Sequence, residues 1–98
     1  MTLDNLRTQI DGIDDELAAL LARRMDLAAQ VAAIKRETGV PVLQPAREQA
    51  ILARLDEQVE PECRPALQMI YEAIFQASRE YQTTIMTGGL LAAPTERP

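Results

Sequence analysis

The 98-residue sequence predicts an all-α protein in which each chain forms one long, one short and one medium-length helix. Apolar residues recur at alternating intervals of three and four, which is the spacing typical of amphipathic helices. Proline-containing segments at 40–45 and 60–65 divide this pattern into three stretches. No stretch alternates apolar and polar residues as a half-buried strand does.

The first helix is predicted over residues 3–38. Thr2 is a suitable N-cap, and Asp4 adds favourable negative charge to the first turn. Gly39 followed by Pro41 ends the helix. Its apolar residues form a seam with the heptad spacing of a coiled coil: Leu3, Leu6, Ile10, Ile13, Leu17, Leu20, Leu27, Val31 and Ile34.

This first helix is too long for its own chain to cover. It would extend about 54 Å at 1.5 Å per residue, whereas a globule of this chain length is about 30–35 Å across. The seam is therefore predicted to pack against a second copy of the chain, which makes the protein a helical-bundle homodimer. Because only 3% of the residues are aromatic, the core is expected to be aliphatic.

The second helix is predicted to begin at Pro45, since proline suits the first helical position. Its apolar face is predicted to contain Ile51, Leu52, Leu55 and Val59. The third helix is predicted over residues 65–86, ended by Gly88 and Gly89. Its inward side chains are predicted to be Leu67, Ile70, Tyr71, Ile74, Phe75, Tyr81 and Ile85.

The domain organisation follows from these helices. Residues 1–86 are predicted to form one helical domain, and residues 87–98 are predicted to form a flexible C-terminal tail. The initial methionine and the short tail favour a stand-alone protein without a fused second enzyme.

Composition excludes several classes of protein. The chain has no histidine and only one cysteine, Cys63, which excludes Cys/His metal sites, Ser-His-Asp triads and disulfide frameworks. A net charge of −5 argues against a nucleic-acid partner, and no apolar run approaches the roughly 18 residues of a membrane span. The lone cysteine and the absence of a signal-peptide pattern predict a cytoplasmic protein.

Arg24 interrupts the seam at the position between Leu20 and Leu27 where the heptad requires an apolar residue. A buried guanidinium stays charged and needs an anion, and no Asp or Glu occupies the neighbouring seam positions. The anion is therefore expected to be a ligand; alternatively, Arg24 only sets the helix register. Lys35 lies on the same face about 16 Å further along, so the two could hold a small dianion, although Lys35 could equally cap the last carbonyls.

Five further polar residues are candidates. Arg7 flanks the seam, but about 42 Å of helix separates it from the lysine, so only a partner's Arg7 could approach that end. Arg47 and Glu48 open the second helix, and Ser78 and Gln82 lie one turn apart on the apolar side of the third. Each of these alone is also compatible with ordinary surface solvation or local hydrogen bonding.

Together these residues resemble the all-helical chorismate mutase family, whose subunits form intertwined dimers of three-helix chains. The resemblance covers about residues 3–83. It is carried by the motifs Leu6-Arg7 with Ile10 and Ile13-Asp14, Leu20-Leu21-Ala22-Arg23-Arg24, Ile34-Lys35, Pro45-Ala46-Arg47-Glu48, and Ser78 with Gln82.

The resemblance implies an isomerase that rearranges chorismate to prephenate, in the biosynthesis of phenylalanine and tyrosine, by a concerted shift of the enolpyruvyl side chain. Such a reaction needs no cofactor, metal, nucleophile or proton shuttle, so catalysis depends on conformational restraint and preorganised positive charge. The resemblance implies that Lys35 and Gln82 donate hydrogen bonds to the ether oxygen.

The resemblance also assigns substrate-binding residues. Arg24, Arg47 and Arg7 of the partner subunit would bind the carboxylates, Glu48 would accept from the ring hydroxyl, and Ser78 would lie close to the ring carboxylate.

The sequence departs from the family pattern at Gln44, where the family commonly has aspartate. Glutamine is a weaker N-cap, so only the backbone N–H of Gln44 is expected to serve the ligand.

Three alternatives stay open at this stage. An isochorismate pyruvate lyase on the same fold is disfavoured by Glu48, because isochorismate carries its hydroxyl elsewhere on the ring. Glu48 does not exclude an aminodeoxychorismate mutase. A non-catalytic helical dimerisation module would leave the inward cations without a role. A regulatory partner enzyme also stays possible.

Overall fold

The computed structural model describes residues 1–88, which form three α-helices and one short 3₁₀-helix without a strand. The elements in chain order are α1 (Leu3–Thr38), α2 (Pro45–Asp56), the 3₁₀-helix (Pro61–Cys63) and α3 (Arg64–Met86). The predicted all-α fold is confirmed. None of these helices combines the length and the apolar character that a membrane span requires. Most of the predicted tail, from Gly89 onward, lies outside the described residues.

The ends of α1 coincide with its predicted caps. The Thr2 hydroxyl oxygen accepts a hydrogen bond from the Asn5 backbone N–H at 3.1 Å. Gly39 adopts the left-handed conformation with φ 77°, and its N–H donates to the Lys35 carbonyl at 2.8 Å. Because glycine reaches this conformation without steric cost, it ends the helix where the sequence predicts.

The second helix ends before Val59, so the prediction that this residue lies on the apolar face of α2 is wrong. The Gln58 N–H donates to the Leu55 carbonyl at 2.9 Å, which closes a turn after the helix. Glu60 is extended, with φ −65° and ψ 148°, as expected for a residue before a proline. The helix therefore ends in this turn, before the extended segment that leads into Pro61, and Val59 lies half-buried in the connection.

Hydrogen bonds between the end of α2 and the start of α3 hold these two helices together. Arg64 Nε donates to the Asp56 carbonyl at 2.7 Å, and Gln68 Nε2 donates to Asp56 Oδ2 at 2.9 Å. Since α2 is short, these bonds help determine its direction over α3, and with it the position of the residues that open α2.

The core of one chain is small. Its buried apolar residues are Ala28 and Ala32 of α1, Ile51 of α2 and Phe75 of α3. The two alanines leave room for α3 to pack closely on the C-terminal half of α1. Within α3, the rings of Tyr71 and Phe75 pack edge to face, with their centroids 5.7 Å apart. The contact between α1 and α3 thus lies beside the inward polar residues of both helices.

The seam of α1 is exposed in a single chain. All nine of its residues are exposed: Leu3, Leu6, Ile10, Ile13, Leu17, Leu20, Leu27, Val31 and Ile34. The prediction that Ile70 and Tyr81 face inward is wrong for one chain, where they are 57% and 37% exposed. The reason is that α3 has neighbours on only part of its circumference. The longest dimension of the chain is 52 Å, well beyond the diameter of a globule of this length.

Candidate active site

A cavity of about 550 Å³ lies between the C-terminal half of α1, the start of α2 and the middle of α3. This volume is within the usual range for a small-molecule site. Its apolar lining consists of Leu27, Ala28, Val31, Val40, Val42, Ile51 and Phe75. Its polar lining consists of Arg24, Lys35, Gln44, Arg47, Glu48, Ser78, Arg79 and Gln82. Seven of the eight predicted site residues are therefore brought together.

The cavity is cationic although the whole chain is acidic, with a net charge of −5. Four basic side chains line it, at positions 24, 35, 47 and 79, against the single carboxylate of Glu48. Apolar walls on the same cavity lower the local dielectric constant and strengthen the attraction for an anion. The site is therefore suited to a small anionic ligand.

Helical periodicity places the α1 contribution. Arg24, Ala28, Val31 and Lys35 follow one another at intervals of four, three and four, and all four line the cavity. The side chains of Arg24 and Lys35 are half-buried. The break in the apolar seam that marked Arg24 in the sequence therefore corresponds to a position inside the cavity.

The amino group of Lys35 joins the three parts of the site. Lys35 Nζ donates to Gln82 Oε1 on α3 at 3.0 Å and to the Val42 carbonyl, before α2, also at 3.0 Å. These bonds direct the side chain across the cavity instead of toward the last carbonyls of α1. An ammonium group has three protons, so one remains for a ligand after these two bonds.

The carboxamide of Gln82 is buried and oriented. Gln82 and Ser78 are each only 8% exposed. Because Gln82 Oε1 accepts from Lys35, its Nε2 points the other way and donates to Ser78 Oγ over a long 3.4 Å. The second proton of that nitrogen makes no hydrogen bond within residues 1–88. Lys35 and Gln82 thus each keep one donor beside the same cavity.

Glu48 forms an ion pair that the sequence analysis missed. Arg79 Nη1 donates to Glu48 Oε2 at 2.5 Å, with the Arg79 side chain 33% exposed and that of Glu48 23% exposed. The sequence signal that could have indicated Arg79 is helical spacing, because Arg79 lies three residues before Gln82 and one after Ser78 on the same helix. Arg79 lies at the edge of the apolar side of the third helix, so apolar spacing does not single it out.

The start of α2 supplies Gln44 and Arg47. Gln44 gives no side-chain cap, as predicted, and its Nε2 donates to the Pro41 carbonyl at 3.0 Å instead. The Gln44 carbonyl accepts from the Glu48 N–H at 3.1 Å, which begins the helix. Arg47 is exposed at the cavity rim and forms no ion pair within the described part of the chain.

Arg7 is the predicted site residue that one chain does not bring to the cavity. It is exposed near the start of α1, at the opposite end of the helix from Lys35. Cys63 is also exposed, in the short 3₁₀-helix, and is a free thiol. Within residues 1–88, no group of three or more Asp, Glu or Cys side chains lies together as a metal site would require.

Comparisons with known proteins identify the family that this chain resembles. Residues 6–83 match the family model described as Chorismate mutase type II. The crystal structure of a chorismate mutase from Helicobacter pylori in complex with prephenate matches with a TM-score of 0.78 and 37% identity, over 88% of this chain and 94% of that chain.

Two curated relatives match over shorter stretches. The chorismate mutase of Methanocaldococcus jannaschii is 42% identical over 53 residues, which is 54% of this chain and 54% of that protein. The T-protein of Haemophilus influenzae is 44% identical over 50 residues, or 51% of this chain and 13% of that protein. The chain therefore spans about half or less of the length of these relatives. Because the family model covers most of the sequence, the chain belongs to the chorismate mutase type II family.

Proposed function

We propose that this protein is an isomerase that rearranges chorismate to prephenate. The observation that carries the proposal is that one cavity of about 550 Å³ is lined by Arg24, Lys35, Arg47, Glu48 and Gln82 together. Chorismate is a small dicarboxylate, so its charges match a cationic cavity. Its rearrangement breaks a C–O bond and forms a C–C bond within one molecule, so side chains need only hold the reactive conformer and stabilise developing charge.

The guanidinium groups supply the binding. Arg24 is half-buried beside apolar walls, where a charge without an anion is costly. Arg47 stands at the rim with its donors unpaired by any carboxylate in residues 1–88. Both can form bidentate hydrogen bonds with a carboxylate, which fix direction as well as charge. We assign them to the two carboxylates of the substrate, which they hold in the compact geometry that the reaction requires.

Lys35 and Gln82 supply the catalysis. Negative charge accumulates on the ether oxygen as the C–O bond breaks, and donors aimed at that position stabilise the transition state more than the ground state. Each residue keeps one proton after its bonds within the protein are counted. The Lys35–Gln82 hydrogen bond holds both in place before substrate arrives, so little reorganisation is needed during the reaction.

The remaining polar residues are assigned to other contacts with the substrate, mainly with its ring. Glu48 Oε2 is bonded to Arg79, which leaves Oε1 to accept from the ring hydroxyl. Ser78 lies beside Gln82 and is assigned to the ring carboxylate. The backbone N–H of Gln44, whose side chain is bonded elsewhere, is assigned a contact with substrate.

The active unit is proposed to be a homodimer. The exposed apolar seam of α1 extends over more than half of the chain's longest dimension, and such an exposed apolar surface favours association. If two α1 helices pair in antiparallel fashion, Arg7 of the partner subunit approaches the cavity end of α1 and adds a further cation. The cytoplasmic location and the domain boundary at residue 86 stay predictions.

The assay that tests the proposal is incubation of the purified protein with chorismate. We expect chorismate to disappear and prephenate to accumulate in equal amounts, with isochorismate unchanged. Release of salicylate and pyruvate from isochorismate, without turnover of chorismate, would instead identify a lyase. A folded protein that converts neither compound would leave an aminodeoxychorismate mutase and the dimerisation module as the alternatives.

The charge state of the residue at position 82 provides a second test. A carboxamide donates at any pH, whereas a glutamate must be protonated to donate, and the adjacent Lys35 ammonium favours the ionised form. Gln82→Glu is therefore expected to lower kcat about tenfold at neutral pH, the cost of one lost donor. The activity should recover as pH falls, whereas wild-type kcat changes little over the same range.

The matched control is Gln30→Glu, which adds the same charge to the exposed side of α1. We expect its pH profile to follow the wild type. If Gln82→Glu shows the wild-type pH profile as well, the Gln82 amide does not donate to the reacting oxygen.

A further inference from the structure

The Glu48 carboxylate in the cavity forms an ion pair with Arg79. Glu48 is the acidic residue among the side chains that line the cavity, and Arg79 is bonded to it at 2.5 Å. Arg79 also lines a neighbouring hollow of about 240 Å³, together with Glu72 and Gln76. Within residues 1–88 its ion pair is with Glu48 and not with Glu72. The guanidinium therefore acts on the carboxylate that lines the cavity.

This pairing changes which ligands Glu48 favours. An unpaired carboxylate in a partly buried site attracts a cation more strongly than it attracts a neutral hydroxyl. With Arg79 bonded to one oxygen, the pair has no net charge, although the second oxygen still accepts a hydrogen bond. A hydroxyl donor keeps its interaction, whereas an ammonium group loses the net attraction and meets the guanidinium at close range.

We infer that Arg79 is a specificity-determining residue, which makes the site prefer a substrate with a neutral hydroxyl over one with an ammonium group at the ring position that Glu48 contacts. This inference rests on the proposed function, which places the ring hydroxyl of chorismate at Glu48. The discriminated compound is the chorismate analogue with an amino group in place of that hydroxyl, because such an amine is protonated at neutral pH. Arg79 acts through Glu48 and by its own charge, without needing to touch the substrate.

The test compares kcat/KM for chorismate and for 4-amino-4-deoxychorismate in the wild type, Arg79→Gln and Arg79→Lys. In wild type we expect chorismate to be preferred. Arg79→Gln removes the charge and is expected to shift the ratio toward the amino substrate by about tenfold or more, the effect of one nearby charge in a partly buried site. Arg79→Lys keeps the charge and is expected to retain most of the wild-type preference.

A charge-matched control is Arg54→Gln, at an exposed position in the last turn of α2 outside the cavity. Its substrate ratio should equal the wild type's. If helical content shows that Arg79→Gln does not fold, Arg79→Met, which keeps the apolar stem, replaces it.

The outcomes separate the inference from the function it rests on. A wild type that converts chorismate, with the same substrate ratio in Arg79→Gln, overturns the inference alone. A loss of activity toward both substrates in equal proportion also overturns it, because it shows a purely structural role. A wild type that converts neither compound overturns the proposed function and the inference together.

Discussion

Lys35→Ala is expected to lower kcat for chorismate rearrangement by about 10²-fold or more, because it removes the preorganised charged donor that we propose for the reacting oxygen. The same change leaves Gln82 Oε1 without its donor, since Lys35 Nζ bonds it at 3.0 Å, so the amide loses its fixed orientation as well. If the lysine acts mainly in the transition state, kcat and kcat/KM fall together while KM changes less. Steady-state kinetics with chorismate measure this directly.

Arg36→Ala is the matched control for this substitution. Arg36 is the next residue of the same helix turn, carries the same charge and is exposed outside the cavity lining. We expect its kcat to equal the wild-type value within a factor of about two. Near-normal kcat in Lys35→Ala, with both variants folded, would contradict the catalytic assignment and leave the lysine a structural role between α1 and α3.

A heterodimer of one Arg7→Ala chain and one Lys35→Ala chain is expected to regain about half of the wild-type activity per dimer, because a two-fold symmetric dimer has two sites. If Arg7 serves the partner's cavity, one site of this heterodimer receives an intact Arg7 and an intact Lys35. The other site lacks both. The two parent homodimers are defective in both sites, so activity that exceeds both parents is the readout. Co-expression with two different tags and sequential purification isolates the heterodimer.

The control reverses the expected pattern. Wild-type chain paired with the double variant Arg7→Ala, Lys35→Ala has one defect in each shared site and should be nearly inactive. If instead this control keeps about half of the activity and the first heterodimer is inactive, each site uses residues of one chain only. Failure to recover any doubly tagged species would contradict the dimer itself.

The helices were predictable because their signals are local. Thr2, Gly39 and Pro45 act on backbone groups within a few residues of themselves, and the structure places helix ends beside all three. Val59 has a suitable apolar character but lies beyond the end of the second helix, after the turn closed by Gln58 and Leu55. Periodicity predicts which side chains share a face, whereas the end of the helix depends on which turn the backbone forms after it.

Burial was less predictable than helix position. Ile70 and Tyr81 have the spacing of inward residues, yet they are exposed in one chain. An apolar residue on an amphipathic helix shows that a partner surface is expected, but does not show whether that surface belongs to the same chain. The same ambiguity applies to the seam of α1, which is why its assignment to a dimer interface depends on the heterodimer experiment.

By itself, the sequence determined the three helices and the shared helix face of Arg24 and Lys35, because helical period and end signals depend on neighbours along the chain. Only the tertiary structure decided which side chains meet across the cavity. The Lys35–Gln82 bond joins residues 47 positions apart, and the Arg79–Glu48 pair joins residues 31 apart. Such contacts depend on how α2 and α3 pack on α1, and spacing within a helix carries no information about that packing. The tertiary structure therefore identified Arg79, which the sequence pattern did not single out, as the partner of the cavity's carboxylate.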